Sequence, residues 1–310
     1  MQIFHGYTAL PDTARGAVAA LGNFDGVHLG HQAVMAQAAA LAQTMDAPAA
    51  AAVFSPHPRR VFQPEGEPFA LMSVDQRVRA LGEAGARLVH HIPFDRALAA
   101  MSPERFVAEV LDEGLGLKGV VTGADFCFGK DRAGNAQALK ALGAACGLSV
   151  AIAEPVSIGA RAGKISSSEV RQALRDGDPE RAAALLGRPF AIEGVVVEGD
   201  RRGRTLGFPT ANVALDDYVR PAFGVYAVRV DLGGGEAVAG VANIGRRPTV
   251  NGTEARLEVH LFDVNADLYG RVISCALIAR LRTEQRFDSL DALKAQIAAD
   301  CETARRRLSA

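Results

Sequence analysis
The stretch LGNFDGVHLGHQAVM, Leu21 to Met35, sets Gly22, Gly26 and Gly30 beside Asp25, His28 and His31, just where an alanine-rich helical pattern begins. Glycine lets the backbone take positive φ and approach a ligand closely, and imidazole supplies hydrogen-bond donors. A helix start adds unpaired N–H groups and the positive end of the helix dipole. His28 and His31 lie three apart across that start, so both rings can project to one side and donate to an oxyanion. The combination favours phosphate chemistry over the plainer reading, in which the glycines only turn the chain and the histidines cap it. A zinc site is disfavoured, because no cysteine or third ligand stands nearby.

A second such group is KISSSEVRQAL, where Ser166, Ser167 and Ser168 precede a helical pattern and Arg171 is expected in its first turn. Hydroxyls, backbone N–H groups and a guanidinium could converge there on phosphates, although an N-cap serine with a solvated arginine would read the same way. A third is GDRRGRTLGFPTANV. Its Thr210 and Asn212 offer neutral oxygen ligands two residues apart on one side of an extended segment, suited to Mg²⁺ already bound to nucleotide phosphates. In LEVHLF, alternation sets Leu257, Val259 and Leu261 on one face and Glu258 and His260 on the other. GADFCFGKD and GARAGKIS each contain Gly-Lys but lack the spacing of a Walker loop.

Two kinds of element must position these groups. From about Arg15 to Pro155 the apolar runs AVAAL, AAAAVF, RLVHHI, GVVTG and LSVAIA alternate with helical patterns at His31–Met45, Val74–Ala84, Pro103–Leu115 and Asn135–Cys146. Continuous apolar strands with crossover helices imply a parallel α/β sheet of nucleotide-binding type. From Ala191 the rhythm changes to IEGVVVEG, GVYAVRVDL, AVAGVANIG, RLEVHLF and VISCALIARL, strand patterns split by Gly and Pro turns. Such a series predicts an antiparallel barrel or sandwich. Leu290, Leu293, Ile297 and Ala298 then mark a C-terminal helix with Ser289 as N-cap. The boundary is expected near Leu185 to Pro189.

Composition narrows the function classes. With 34 Lys+Arg against 35 Asp+Glu, and no basic face interleaved with aromatics, nucleic acid is an unexpected partner. No apolar run is long enough to cross a membrane, and MQIFHGYTALPDTARG has no basic or apolar signal region. Cys127, Cys146, Cys275 and Cys301 form no C-x-x-C pair, which fits a reducing, cytoplasmic setting.

The motifs taken together resemble a known family. G-x-F-D-G-x-H-x-G-H, with Gly22, Phe24, Asp25, Gly26, His28, Gly30 and His31, is similar to the nucleotidyltransferase signature of prokaryotic FAD synthetases. S-S-S-x-x-R resembles their second phosphate-binding motif. TGADFCFGKDRAGN, with Asp125, Phe126 and Phe128, and FSPHPRRVF, with Pro56, His57 and Pro58, resemble their flavin-side segments. G-R-T-L-G-F-P-T-A-N, G-V-Y-A-V, N-I-G-x-R-P-T, E-V-H-L and D-L-Y-G resemble, in order and spacing, the riboflavin kinase domain over Leu185 to Leu308. The whole chain is thus similar to prokaryotic bifunctional riboflavin kinase/FAD synthetases. A rival H-x-G-H transferase of synthetase type would need a tRNA-binding module, where the second half has kinase-like motifs instead.

That resemblance implies a Rossmann-like FMN adenylyltransferase domain over 1–184 and a riboflavin kinase barrel with a C-terminal helix over 185–310. It implies ATP as co-substrate with Mg²⁺, riboflavin, FMN and FAD as substrates and products, and ADP and pyrophosphate released. Glu258 would be the general base of the kinase step, with Thr210 and Asn212 holding Mg²⁺ and Gly203, Arg204 and Gly207 covering ATP. In adenylyl transfer His28 and His31 would donate to phosphate oxygens, Ser166, Ser167, Ser168 and Arg171 would grip phosphates, and Asn23 and Asp125 would line the site. A monomer or weak homo-oligomer is expected.

Overall fold
The computed structural model describes residues 1–156, 165–199, 207–249, 252–264 and 266–309. By packing, the chain divides into two compact units, Met1–Glu67 with Val74–Ile165, and Pro68–Ser73 with Ser166–Ala310.

The first unit is built on β1 (Gln2–His5), β2 (Val18–Gly22), β3 (Ala49–Ser55), β4 (Leu88–Pro93), β5 (Gly119–Gly123) and β8 (Ser149–Ala153). They form a sheet in the order β1-β4-β3-β2-β5-β8, and every pairing in it is parallel. β6 (Cys127–Phe128) and β7 (Gly134–Asn135) form a separate two-residue ribbon. The central strands are mostly apolar or small because helices cover both faces, with His90 and His91 of β4 the exceptions. Ala19, Ala20, Ala51, Val89 and Val120 are all fully buried. The crossover helices are α1 (Leu29–Thr44), α3 (Val74–Glu83) and α6 (Ala136–Ala145), with shorter α2 (Pro58–Phe62), α4 (Arg96–Ala99) and α5 (Pro103–Arg105). α5 continues as a π-helix over Phe106–Gly114, which buries Phe106, Val107, Val110 and Leu111.

The second unit is a closed antiparallel barrel of β9 (Phe190–Val197), β10 (Ala211–Ala214), β11 (Gly224–Asp231), β12 (Val238–Thr249), β13 (Gly252–Leu261) and β14 (Val272–Arg282). Its strand order is β10-β13-β12-β11-β14-β9. Helices α7 (Ser167–Asp176) and α8 (Pro179–Leu186) precede it and α9 (Leu290–Ser309) ends the chain. The alternation expected for β13 holds, with Leu257, Val259 and Leu261 buried.

The packing boundary falls between Ile165 and Ser166, a division separate from the functional one expected at 184/185. The reason is that α7 and α8 pack on the barrel: Ala222 N–H donates to Leu174 O at 2.9 Å, and α8 lies against β9 and β14. In α9, Ser289 caps as expected, its Oγ accepting from Ala292 N–H at 3.1 Å. Leu290 and Ala298, however, are exposed, and the buried face is Asp300, Ala304 and Leu308.

Candidate active sites
In the first unit the chain leaves β2 for β3 and β4 on one side, while β5 and β8 lie on the other, so the strand order reverses between β2 and β5. The crevice at the carboxyl ends of strands at such a reversal is where α/β sheets take ligands. Buried Thr122 ties the two ends together, its Oγ1 donating to Leu21 O at 3.1 Å.

The loop from Asn23 to His28 emerges there. Phe24, Gly26 and Val27 all take positive φ, at 51°, 89° and 38°. Only the glycine adopts this without cost; the other two store on the order of 1–3 kcal/mol each. Their side chains, 1% exposed, are anchored in the core, and burial of this kind offsets about 1.5–3 kcal/mol per side chain. The loop is therefore held in one tight form.

His28 is the N-cap of α1, and its Nδ1 accepts from His31 N–H at 3.2 Å. A neutral His28 must then carry its proton on Nε2, which makes that atom a donor. The two imidazoles stack at 3.6 Å between centroids, and Phe24 meets His31 edge-on at 5.1 Å. Gly30 is needed for close approach, since a Cβ there would come within 3.2 Å of the His28 ring. The expected pair is thus brought together at a helix N-terminus. Asp25 is buried beside it at 5% exposure.

Sequence reasoning missed what lies behind this loop. Arg77, on α3, is 7% exposed, and its Nη1 donates to Asn23 O at 3.2 Å. Burial lowers its pKa while the Asp25 carboxylate opposes that shift. His91 on β4 is held down to about 4, by burial first and then by Arg77 and His5, with Asp75 acting the other way. A lone arginine in a helical pattern normally reads as a solvated face, so the only signal was its position on the apolar side of α3, near Val78 and Leu81.

In the segment expected to face a flavin, His57 caps α2, its Nδ1 accepting from Arg59 N–H at 3.1 Å. Pro56 and Pro58 flank it. Asp125 is exposed just beyond β5. Phe126 and Phe128 stack at 5.6 Å, and contacts run on through Phe106, Phe54 and Phe94 to Phe62. Phe128 is 5% exposed and so fills core, whereas Phe62 at 61% is the open end. Phe62 stood inside the quoted FSPHPRRVF and was not singled out.

The serine run begins the second unit. Ser166 is the N-cap of α7, its Oγ accepting from Glu169 N–H at 3.2 Å, the first half of a capping box. Arg171 is the fifth residue of α7 and therefore sits in its second turn, not its first. Its Nε donates to Phe69 O at 2.7 Å and its guanidinium lies over the Phe69 ring. Ser167 and Ser168 open the helix.

In the barrel, register does the assembling. Asn212 on β10 stands directly opposite Glu258 on β13, which stands opposite Asn243 on β12. Directly paired residues share a face, so the three form one row across adjacent strands. That face is the outer one, because Val241 and Val225 on the same parity pack against Ala304 and Leu308 of α9. Asn212 is 6% exposed and packs tightly on Gly199, where a Cβ would strike its amide. Thr210 lies two residues before Asn212. Gly207 takes a φ of 89°. His260 donates from Nδ1 to Pro209 O at 2.8 Å and meets Phe208 edge-on, fastening the segment that carries Thr210. Gly203 and Arg204 lie outside the described residues. Among the described residues there is no group of three His, Cys, Asp or Glu that could hold a metal alone. A hard cation would instead need this site's neutral oxygens and single carboxylate completed by phosphates, a donor set that fits Mg²⁺.

Fold and sites together give a parallel α/β unit with a histidine-bearing loop at its strand reversal, and a closed barrel with an outer polar row. Known proteins agree. The family model for FAD synthetase matches residues 10–169 and that for riboflavin kinase matches 186–308. The chain is 45% identical to the bifunctional riboflavin kinase/FMN adenylyltransferase of Escherichia coli strain K12, over 94% of this chain and 92% of that one. It is 36% identical to the protein of the same description from Bacillus subtilis strain 168, over 100% of this chain and 98% of that one. A crystal structure from Streptococcus pneumoniae, described as a macrolide-efflux protein, superposes with a TM-score of 0.85 at 34% identity over 98% of both chains. No helix among the described residues here is long and apolar enough to cross a membrane. The chain belongs to the bifunctional riboflavin kinase/FMN adenylyltransferase family.

Proposed function
We propose that this chain makes FAD from riboflavin in two steps, each an attack on a phosphorus of ATP. In the barrel, Glu258 takes the proton of the ribityl 5′-hydroxyl as that oxygen bonds to the γ-phosphorus and ADP departs. Thr210 and Asn212 would hold Mg²⁺, which when bound offsets phosphate charge. Gly207, with Gly203 and Arg204, covers the nucleotide. The observation that carries this reading is the direct pairing of Asn212 with Glu258, because transfer of this kind depends on alignment and charge stabilisation more than on covalent chemistry.

In adenylyl transfer a phosphate oxygen of FMN bonds to the α-phosphorus and pyrophosphate leaves. His28 and His31 donate to the oxygens where charge grows. Ser167, Ser168 and Arg171 keep the phosphate-binding role that their motif implies, with Ser166 shaping the start of α7. The FAD synthetase match runs to residue 169 and takes in the serine run, and the riboflavin kinase match begins at 186, which supports a functional division at 184/185 although packing divides the chain earlier. Asn23 Oδ1 is buried with no hydrogen-bond partner among the described residues, which suits an acceptor for a donor on the nucleotide. Phe62, Phe126 and Asp125 line the flavin side with Pro56, His57 and Pro58. The partners are small molecules, without nucleic acid or membrane, in a cytoplasmic monomer or weak homo-oligomer.

The test is incubation with riboflavin, ATP and Mg²⁺ followed by chromatography of the flavins. FMN and then FAD should appear, and Asn212→Ala should raise the Mg²⁺ needed for half-maximal FMN formation while leaving FAD formation from supplied FMN within about twofold. Absence of riboflavin-dependent ATP consumption in the wild type would overturn the assignment.

A further inference from the structure
Arg77 is a buried charge that the two reactions do not use directly. Taking a guanidinium out of water costs several kcal/mol unless it is paired, and an apolar side chain would fill the same volume on α3. What the arginine adds is its contacts. Nη1 donates to the main-chain carbonyl of Asn23, the first residue after β2, at 3.2 Å. The Asp25 carboxylate, 5% exposed, interacts electrostatically with the same guanidinium. Its Nε has no hydrogen-bond partner among the described residues, and its charge is also felt by His91 on β4, but the hydrogen bond from Nη1 goes to the loop.

That loop has a specific problem. It places a buried carboxylate three residues before His28, in a site that must take a triphosphate and a flavin phosphate. Unneutralised, Asp25 would repel both. The loop also holds Phe24 and Val27 at positive φ and so needs tethering to keep the His28 cap in register.

We infer that Arg77 is a positioning residue for adenylyl transfer: it neutralises Asp25 and tethers the Asn23 carbonyl so that the loop presents His28 and His31 to phosphate. This rests on the assignment of adenylyl transfer to the histidine loop. Arg77 itself touches no reacting atom.

The electrostatic part has a signature that a merely structural residue lacks. Arg77→Gln should lower kcat for FAD formation from FMN by roughly tenfold or more, with FMN formation from riboflavin within about twofold of wild type as an internal control. Adding Asp25→Asn removes the exposed repulsion, so the Asp25→Asn/Arg77→Gln double variant should recover about threefold or more over Arg77→Gln alone. Arg77→Lys keeps the charge, and should retain most of the ATP affinity while losing several-fold in kcat. A wild-type adenylyl rate in Arg77→Gln, or a double variant no faster than the single one, overturns the inference. If Arg77→Gln fails to fold, Arg77→Lys decides: an unchanged melting temperature with several-fold lower kcat supports the role, and an unchanged kcat rejects it. His28→Ala is run alongside. Full FAD formation in His28→Ala rejects the histidine-loop assignment itself, whereas its loss beside a wild-type rate in Arg77→Gln rejects only the role of Arg77.

Discussion

His28 does two jobs with one ring. Nδ1 closes the N-terminus of α1 by accepting from His31 N–H, and in the neutral ring Nε2 carries the proton. The jobs can be separated, because asparagine is among the best N-caps but cannot place a donor where Nε2 lies. We expect His28→Asn to melt within a few degrees of wild type while FAD formation from FMN falls by about 10²–10³, the usual loss for one oxyanion donor; a parallel fall in melting temperature and rate would mean that capping was the ring's main contribution. At this scale the sequence was informative where chemistry is local. The imidazole pair is three residues apart, and Thr210 and Asn212 are two apart. It was silent where partners are distant in the chain: Arg77 meets Asn23 across 54 residues, and Asn243 joins Asn212 and Glu258 only through strand register. Arg171 was placed a turn too early because the helix starts at Ser167, its cap being Ser166 itself.

Among the elements, β4 is unusual in carrying His90 and His91 in the middle of a buried strand. Both ring nitrogens of His90 lack a hydrogen-bond partner among the described residues, and its ring stacks on Phe4 at 5.7 Å. Burial disfavours the imidazolium and takes its pKa from 6.5 to about 4. Between those values the unfolded chain binds the proton that the folded chain refuses, so stability present above pH 6.5 is lost as the pH falls toward about 4. The loss has an upper bound of about 3 kcal/mol for His90. Urea titrations of the whole chain across that window should show the first unit weakening with acid, and His90→Phe, which keeps the stacking but has no proton to bind, should lessen the trend while His91 keeps its own share; an unchanged trend would place its origin elsewhere.

A second element-level feature is the docking of α9. Arg282 donates through Nη2 and Nε to the Asp300 carboxylate at 2.8 and 3.0 Å, and Gln296 Nε2 donates to Asp300 Oδ1 at 2.8 Å. Asp300 is 6% exposed, so Asp300→Ala leaves a partly buried guanidinium uncompensated and should cost on the order of 3 kcal/mol. Denaturant midpoints of the barrel would measure this, and a change below about 0.5 kcal/mol would show the pair to be solvent-screened. Parallel strands were readable because burial on both faces makes them continuous apolar runs. β1 was not, since QIFH lies at the sheet edge with mostly exposed residues, and neither was four-residue β10. The stripe of α9 was misplaced because its centre is a paired aspartate, which no apolar pattern reveals.

For the molecule as a whole, motif order revealed two functional blocks, and the change from parallel to antiparallel rhythm revealed two folds. The place of the division was harder to read: α7 carries a phosphate-type motif continuous with the first block, yet its apolar face, with Val170, Ala173 and Leu174, packs with the second unit. Sequence pattern tracks chemistry there, and packing follows the apolar stripe. Two chemically separate sites in one chain should be separable by point substitution. The decisive measurement is a mixing experiment with His28→Asn and Glu258→Gln, each given riboflavin, ATP and Mg²⁺ and followed by flavin chromatography. We expect the histidine variant to accumulate FMN, the glutamate variant to leave riboflavin unchanged but convert supplied FMN to FAD, and a mixture of the two to restore FAD synthesis from riboflavin. Loss of both reactions in either variant, or a mixture that still makes no FAD, would contradict two independent sites.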